Sequence, residues 1–264
     1  MNTAPQHIPQ HIHSRDNPLI KDLRRLAQGN AEYRRQGRVW AEGDHLCRAA
    51  LTRGWVPELL VVTASFEPFA HDWQAQAATK SIVIPDVLMA AISGLPSPAP
   101  LAFVLRLPPA PAPLPDAPSL VLDRVQDAGN VGAMLRSAAA FGFAQVLALK
   151  GTAALYSPKV LRAGMGAHFG LRLLEGLDVA DLAALRVPLL ATSSHQGGWL
   201  HQTRLPWPCA WVMGHEGQGV QPALAQSATH HVRIAQPGGE ESLNVAAAAA
   251  ICLHASAVGQ LTAA

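Results

Sequence analysis

Residues 234–250 read IAQPGGEESLNVAAAAA, and residues 212–220 read VMGHEGQGV. Each stretch begins with apolar residues typical of a buried strand and continues into glycines and polar residues. A third stretch of this kind, DRVQDAGNVGAMLRSAAAFG at residues 123–142, follows the apolar run SLVL. Glycines let a ligand approach the backbone closely, and a helix start gathers free N–H groups. The three loops are therefore candidates for a binding site.

Apolar strands alternate with helical segments around these loops. The predicted strands are SLVLD, AQVLAL, LRLLE, PLLATS, PCAWVMG and HHVRIAQ, with helical segments between most of them. One of these helical segments is VGAMLRSAAAFG at residues 131–142, which follows a predicted loop that contains Asn130. Continuous apolar strands separated by helices are typical of a parallel sheet that is covered on both faces. Ligands collect at the carboxyl ends of such strands, which is where the three loops lie.

The first hundred residues predict a smaller α/β unit. Residues 1–14 are polar and predict a flexible tail, and residues 17–37 predict one helix with Asn17 as its cap and Pro18 in its first position. Nine of the 21 prolines lie between Leu95 and Pro118, which predicts a stiff spacer. The predicted domains are residues 15–107 and 119–264, joined by a proline-rich linker at residues 108–118.

The composition excludes several classes of protein. Apolar residues make up 49% and charged residues 14% of the chain, against about 25% charged in an average soluble protein, which excludes overall disorder. The 21 glycines and 21 prolines exclude a long coiled coil. The longest apolar run, Val245–Leu253, is too short to span a bilayer, and the polar first residues lack a signal peptide. We therefore expect a soluble, cytoplasmic protein.

The positions of the basic residues and of the cysteines suggest what the chain binds. Nine of the 20 basic residues lie from Arg15 to Arg53 with five acidic ones, which is compatible with a phosphate-binding face or with an ordinary solvated helix surface. Cys47, Cys209 and Cys252 lie far apart and lack the spacing of a zinc site, so they predict buried, reduced thiols and no metal.

Several common nucleotide and catalytic motifs are missing from the sequence. No GxGxxG follows a predicted strand, and neither a GxxxxGK[ST] loop nor a GxSxG elbow occurs. His215 and Glu216 are adjacent, but HEGQG lacks the second histidine of an HExxH zinc site.

Taken together, the three loops resemble the signature motifs of the SpoU (TrmH) family of RNA ribose 2′-O-methyltransferases, part of the SPOUT class. The most specific feature is ESLNV before an alanine-rich helix, preceded by MGHEGQG. The resemblance covers residues 119–258, and residues 14–46 are similar to the family's small substrate-binding domain. It implies a small N-terminal α/β domain and a C-terminal parallel-sheet α/β domain with a trefoil knot, which binds S-adenosylmethionine and works as a homodimer.

The resemblance also implies roles for individual residues. The catalytic positions of the family are matched by Asn130, Arg136, Glu216, Ser242 and Asn244. The cofactor positions are matched by Thr192, Gly214, Gly217, Ile234 and Leu243. Ala128 stands where the first motif of the family has a proline, which implies a looser loop with activity retained.

The implied reaction is an in-line attack of a ribose 2′-hydroxyl on a sulfonium methyl group. Arg136 is either the base that activates the hydroxyl or a hydrogen-bonding, phosphate-anchoring group, because a guanidinium is almost always protonated. The side chains expected to bind RNA are Lys21, Arg24, Arg25, Arg34 and Arg35. Ribosomal RNA is favoured over transfer RNA, and DNA is excluded because it lacks the 2′-hydroxyl. Two alternatives stay open, a catalytically silent RNA-binding relative and a SPOUT enzyme that methylates a base.

Overall fold

The computed structural model describes residues 8–76, 80–193, 196–238 and 242–261. Contacts between residues divide the chain into two compact units. The first comprises residues 1–109 and 156–162, and the second comprises residues 110–155 and 163–264. Within the described ranges, no helix combines the length and the apolar character needed to cross a bilayer.

The first unit is a five-stranded mixed sheet with helices. Its elements are β1 (Gln10–His11), α1 (Pro18–Gln28), α2 (Glu32–Gln36), β2 (Arg38–Glu42), α3 (Asp44–Thr52), β3 (Pro57–Thr63), α4 (His71–Gln76), β4 (Ser81–Ile84), α5 (Asp86–Ile92) and β5 (Leu101–Arg106). The strand order is β1-β4-β3-β5-β2, and β5 runs antiparallel to β2 and β3. The apolar residues of β3, β4 and β5 form its core, so these strands could be read from the sequence.

Two predictions for this unit are wrong in detail. The single helix expected over residues 17–37 is divided into α1 and α2 at Gly29. A Cβ at Gly29 would lie 2.8 Å from the Arg25 carbonyl oxygen and 2.9 Å from Cβ of Glu32, so the chain can turn there only without a side chain. The predicted tail ends before residue 14, because β1 pairs with β4 and Ile12 is buried. Residues 1–7 of that tail lie outside the described residues.

The remaining elements build the second unit, apart from part of α7. They are β6 (Ser119–Leu122), α6 (Ala128–Ala140), β7 (Gln145–Leu149), α7 (Pro158–Gly164), β8 (Arg172–Leu177), β9 (Leu189–Thr192), β10 (Gly198–Trp199), β11 (Ala210–Met213), α8 (Pro222–Ser227), β12 (His230–Arg233) and α9 (Val245–Leu261). Residues 156–162, which include most of α7, group with the first unit.

The sheet of the second unit is parallel in every described pairing. Its strand order is β10-β12-β9-β11-β6-β7-β8, and β6, β7 and β11 are buried along their whole length. Trp211 of β11 is fully buried, and its indole N–H donates to Ser256 Oγ of α9 at 2.9 Å. Because β12, β9, β11 and β6 are neighbours, the loops that follow them lie at one edge of the sheet.

The proline-rich segment contains no helix or strand between β5 and β6. From Ala110 onward it belongs to the second unit. There the buried amide of Gln145 accepts from the Leu114 N–H and donates to the Leu114 carbonyl oxygen, both at 2.8 Å. The segment before β6 is therefore fastened to the sheet that it precedes.

Candidate active site

Glu216, in the loop after β11, joins this loop to the one after β6. Its carboxylate accepts from the backbone N–H groups of Gln126 at 3.2 Å and Asp127 at 3.0 Å. It also accepts from the Asn130 side-chain amide at 3.1 Å. One carboxylate therefore holds the backbone and a side chain at the start of α6.

Asn130 is also hydrogen-bonded to the third loop. Its Oδ1 accepts from the side-chain amide of Asn244 at 2.9 Å. Asn244 Oδ1 in turn accepts from the N–H groups of Ala246 at 2.9 Å and Ala247 at 3.2 Å, so it caps the start of α9. A continuous chain of hydrogen bonds, Glu216 to Asn130 to Asn244, thus links all three loops found in the sequence. We call these three residues the carboxylate–amide chain.

Asn130 lies in the first turn of α6 and not in a loop, which corrects the prediction. The helix begins at Ala128, three residues before the predicted segment, because Asp127 accepts from the Asn130 N–H at 2.7 Å and serves as its cap. The first turn of the helix therefore fixes the backbone of Asn130 while its side chain is held at both ends.

Glu216 stays ionised well into the acid range. Burial alone raises the pKa of this carboxyl. The N–H groups of Asp127, Glu216 itself and Gln126, together with the Asn130 amide, outweigh that effect and hold the pKa below its ordinary value. The side chain is therefore a fixed anion that organises hydrogen-bond donors.

The loop after β11 is tightly closed at its base. A Cβ at Gly214 would lie 2.2 Å from the carbonyl carbon of Gly219 and 2.2 Å from the Val220 nitrogen, so only glycine fits there. His215 and Gly219 exchange backbone hydrogen bonds of 3.1 and 2.8 Å, and Gly219 has a φ of +67°. Gly217 lies at the exposed tip, where its N–H donates to His215 Nδ1 at 3.0 Å.

Arg136 is separate from the carboxylate–amide chain. It lies in α6 six residues after Asn130, so the two side chains point about 120° apart around the helix axis. Its side chain is exposed and has no hydrogen bond or ion pair with the described residues. Ser242 is exposed as well and has no such partner. The structure therefore brings Asn130, Glu216 and Asn244 together, whereas Arg136 and Ser242 have no partner in the described part of the chain.

The predicted cofactor residues come from loops at the same edge of the sheet. Thr192 ends β9, Ile234 follows β12, Gly214 follows β11, and Leu243, 39% exposed, precedes α9. Near Ile234, the side-chain oxygen of Gln236 is buried and lacks a hydrogen-bond partner among the described residues. A bound polar molecule would satisfy this acceptor, because buried polar atoms in proteins are nearly always hydrogen-bonded.

A family model decides the identity of this site. The model of the SpoU rRNA Methylase family matches residues 117–254, which is more than half of the chain. The chain belongs to the SpoU rRNA methylase family. A second model, the MRM3-like substrate binding domain, matches residues 17–102.

Individual relatives agree with this membership. The chain is 31% identical to an uncharacterized tRNA/rRNA methyltransferase of Synechocystis sp., over 92% of both chains. It is 30% identical to the 23S rRNA (guanosine(2553)-2′-O)-methyltransferase RlmP of Bacillus subtilis, over 92% of this chain and 97% of the relative. The AdoMet-bound rRNA methyltransferase from Sinorhizobium meliloti has a TM-score of 0.82 and 25% identity, over 94% of this chain and 97% of that one. The predictions of family, fold class and methyltransferase activity are confirmed.

The basic side chains predicted to bind RNA lie in the N-terminal unit of this SpoU methylase, and most of them have partners. Lys21 pairs with Asp16 at 2.9 Å, Arg25 with Asp22 at 3.1 Å, and Arg35 with Glu32. The guanidinium of Arg34 lies 5.3 Å from the centre of the Tyr33 ring.

Arg24 has no ion-pair or hydrogen-bond partner among the described residues. With Lys21 and Arg25 it lines an open cavity of about 500 Å³. Arg24 is therefore the cation in this group that is most available for a phosphate.

The cysteines of the SpoU methylase are buried thiols, as predicted. All three are free and buried. Burial raises the pKa of Cys209 to about 11 and the pKa of Cys252 to about 12, and it raises the pKa of Cys47 further. These thiols are therefore protonated at neutral pH and do not act as nucleophiles. In the part of the chain that the structure describes, no three His, Cys, Asp or Glu side chains cluster as metal ligands.

Proposed function

We propose that this protein transfers the methyl group of S-adenosylmethionine to a ribose 2′-hydroxyl of ribosomal RNA. The carboxylate–amide chain carries the proposal, because it joins three loops from distant parts of the sequence at the carboxyl edge of the sheet. The RlmP name specifies 2′-O-methylation of a 23S rRNA guanosine, and the Sinorhizobium meliloti relative is named as an rRNA methyltransferase that binds AdoMet.

The residues at this edge fit S-adenosylmethionine. Backbone groups near Gly214, Ile234 and Leu243 would hold the cofactor, with Thr192 and Gly217 beside them. The buried acceptor of Gln236 supports the fit, because the cofactor carries amine donors and the protein leaves this oxygen without a described partner. When bound, S-adenosylmethionine supplies an electrophilic sulfonium methyl group.

Glu216, Asn130 and Asn244 act as a rigid frame and not as a proton acceptor. The Glu216 carboxylate already accepts three hydrogen bonds and its pKa is lowered, so it has little tendency to take up a proton. The frame fixes the starts of α6 and α9 relative to the loop after β11. Fixed alignment of two reactants is worth effective molarities of up to about 10⁵–10⁸ M, which is the main requirement of this reaction.

Arg136 is expected to act as a donor toward the substrate. Its guanidinium is protonated and has no partner among the described residues, so it is available to bind the attacking hydroxyl or a neighbouring phosphate. Ser242, exposed before α9, is expected to donate to the substrate as well.

The decisive assay is methyl transfer from radiolabelled S-adenosylmethionine to ribosomal RNA that lacks the modification, followed by digestion to nucleosides. We expect label in a 2′-O-methylnucleoside from ribosomal RNA and none in DNA. Label in a methylated base would instead assign a base methyltransferase. Label in transfer RNA alone would contradict the choice of ribosomal RNA, and cofactor binding without any transfer would assign a silent relative.

Arg136→Ala and Arg136→Lys separate the roles of this arginine. We expect Arg136→Ala to abolish transfer while the cofactor affinity, measured by calorimetry, stays near the wild-type value. Arg136→Lys keeps the charge but loses the planar donor pair, so partial activity would show that charge alone suffices. Equal loss of transfer and cofactor binding in Arg136→Ala would show that the residue is structural.

We also propose that the enzyme works in the cytoplasm as a homodimer in which Arg136 reaches the cofactor of the partner. Arg136 points away from Asn130, and α9 exposes Ile251 and Val258, 41% and 40% accessible, on its surface. Ile251 also lines an apolar cavity of about 580 Å³ next to Ile234. Mixing Arg136→Ala protomers with the impaired Asn130→Ala protomers should raise the activity above that of either variant alone. No restoration in a mixture shown to contain heterodimers would place both residues in one protomer's site.

A further inference from the structure

Asp123, the first residue of the loop at residues 123–142, is a fully buried carboxylate at the carboxyl end of β6 and is not among the site residues predicted from the sequence. Its Oδ2 accepts from the backbone N–H of Gln221 at 2.7 Å, and its Oδ1 accepts from the Gln221 side-chain amide at 2.8 Å. Its own N–H donates to the Met213 carbonyl oxygen at 2.8 Å. Asp123 therefore contacts both ends of the loop that carries Gly214 and Glu216.

Arg124 balances the charge of Asp123. Its Nε donates to Asp123 Oδ1 at 2.9 Å, and another guanidinium nitrogen donates to Gln218 Oε1 at 3.0 Å. Arg124 has a φ of +59°, in the left-handed region that residues other than glycine rarely occupy. In this backbone conformation the Arg124 guanidinium contacts both Asp123 and Gln218 of the loop after β11.

Each of the two loops thus contributes a carboxylate that binds the other loop. Glu216 reaches from the loop after β11 to the backbone before α6. Asp123 reaches from the loop after β6 to Gln221 at the far end of the other loop. If either carboxylate were removed, only the other would still hold the loop at residues 214–221 in place.

We propose that Asp123 is a positioning residue for methyl transfer, which acts through Gln221 and Arg124. It sets the place of the Gly214–Gln221 loop so that Glu216 meets Asn130 and the Gly214 backbone faces the cofactor. The inference rests on the proposed function, since the cofactor and the reaction are those proposed above.

The chemistry of the contacts makes the carboxylate specific. Both oxygens of Asp123 face N–H donors. An asparagine would place an N–H against one of these donors, because it has a single acceptor oxygen. In Asp123→Asn combined with Gln221→Glu, the new amide would donate to the new carboxylate, and the Gln221 backbone donor would keep an acceptor. The double variant therefore restores the pairing between residues 123 and 221 that Asp123→Asn breaks, while the Arg124 Nε–H still loses its acceptor on residue 123.

The test measures cofactor affinity by calorimetry, the single-turnover rate of methyl transfer to ribosomal RNA, and the melting temperature. For Asp123→Asn we expect the cofactor affinity and the rate both to fall about tenfold or more, because a hydrogen bond to a charged group is lost within the loop that contacts the cofactor. Asp123→Asn with Gln221→Glu should recover part of both losses, because the pairing with residue 221 returns and the Arg124 Nε bond does not. Gln221→Glu alone should be impaired, because its carboxylate faces that of Asp123.

Gln145→Leu is the matched control. Gln145 is also fully buried and makes three hydrogen bonds of 2.8 Å, but it lies at the amino end of β7, at the opposite edge of the sheet. We expect it to lower the melting temperature without changing cofactor affinity.

Two results would overturn the inference. One is wild-type affinity and rate in Asp123→Asn. The other is a loss that the double variant fails to reverse, together with a fall in the cofactor affinity of Gln145→Leu in the same proportion to its fall in melting temperature. Failure of the wild-type protein to bind the cofactor or to methylate RNA would instead refute the proposed function.

Discussion

Acid is expected to destabilise the second unit through His168, which lies in the short helical turn Ala167–Gly170. The imidazole is fully buried, and its Nε2 donates to the Leu155 carbonyl oxygen at 2.8 Å. It packs against Gly164, where a Cβ would lie 2.5 Å from the ring and 3.6 Å from the Gly132 carbonyl oxygen of α6. The histidine thus lies beneath the helix that carries Asn130.

The magnitude follows from the pKa of this residue. Burial lowers the pKa of His168 from 6.5 to about 4, against a smaller opposing effect of the Leu155 hydrogen bond. The unfolded chain therefore binds a proton below pH 6.5, while the folded chain binds it only near pH 4. Stability is fully present above pH 6.5 and falls as the pH decreases toward 4, by about 3 kcal/mol in total and by about 2 kcal/mol between pH 7 and pH 5.

His168→Gln isolates this contribution, because its side-chain amide can still donate to Leu155 but does not titrate. Hydrogen exchange of peptides that contain β7, measured between pH 5 and pH 7, reports the free energy of unfolding of the second unit. The variant should be less stable than the wild type at pH 7, and the difference should shrink by about 2 kcal/mol at pH 5.

His71→Gln, at a side chain that is 89% exposed in the first unit, is the control and should leave these peptides unchanged. Parallel pH profiles of the wild type and His168→Gln would refute the reasoning, since they would mean that the buried ring does not control the acid response. The window from pH 7 to pH 5 is chosen because carboxylates with lowered pKa values, such as Glu216, protonate only below it.

Three further predictions concern the site and the RNA surface. Asn130→Asp places a second carboxylate where the amide donates to Glu216 at 3.1 Å. Methyl transfer should therefore fall further than in Asn130→Ala, which loses about 1 kcal/mol for each hydrogen bond removed. Equal single-turnover rates of the two variants would exclude a role for charge. Gly214→Ala forces Cβ to within 2.2 Å of Gly219, so calorimetry should show a loss of cofactor affinity of about tenfold or more, and unchanged affinity would remove this backbone from the cofactor site. Arg24→Ala should lower RNA affinity and reduce the salt slope by about one, as measured by filter binding, and an unchanged slope would exclude a phosphate contact.

The sheet of the second unit could be predicted because strands that are buried on both faces have continuous apolar sequences. Residues 119–122, 145–149 and 210–213 are apolar throughout or nearly so, and each became a strand buried along its whole length. Burial on both faces requires such runs whatever the order of the strands. The start of α6 was missed by three residues, although Asp127 gives a local signal as a cap for the Asn130 N–H.

Asp123 and Gln221 could not be paired from the sequence. The two residues are 98 positions apart, and neither lies in a spacing that indicates a site. The partners of Glu216 and Asn244 are similarly distant, since Asn130 is 86 residues from one and 114 from the other. Local patterns show which loops contain polar residues and glycines, but the partner of each side chain is decided by the strand order.

The strand order itself explains why these side chains meet. β6 and β11 are neighbours, with Leu122 paired to Met213, so Asp123 and Gly214 leave the sheet side by side. β9 lies next to β11 and β12 next to β9, which brings the loops near Thr192 and Ile234 to the same edge. Two reciprocal carboxylates, Asp123 and Glu216, then convert this proximity into fixed geometry. The frame therefore depends on the pairing of the strands, and substitutions that loosen the contact between β6 and β11 should impair the site even where they touch none of its residues.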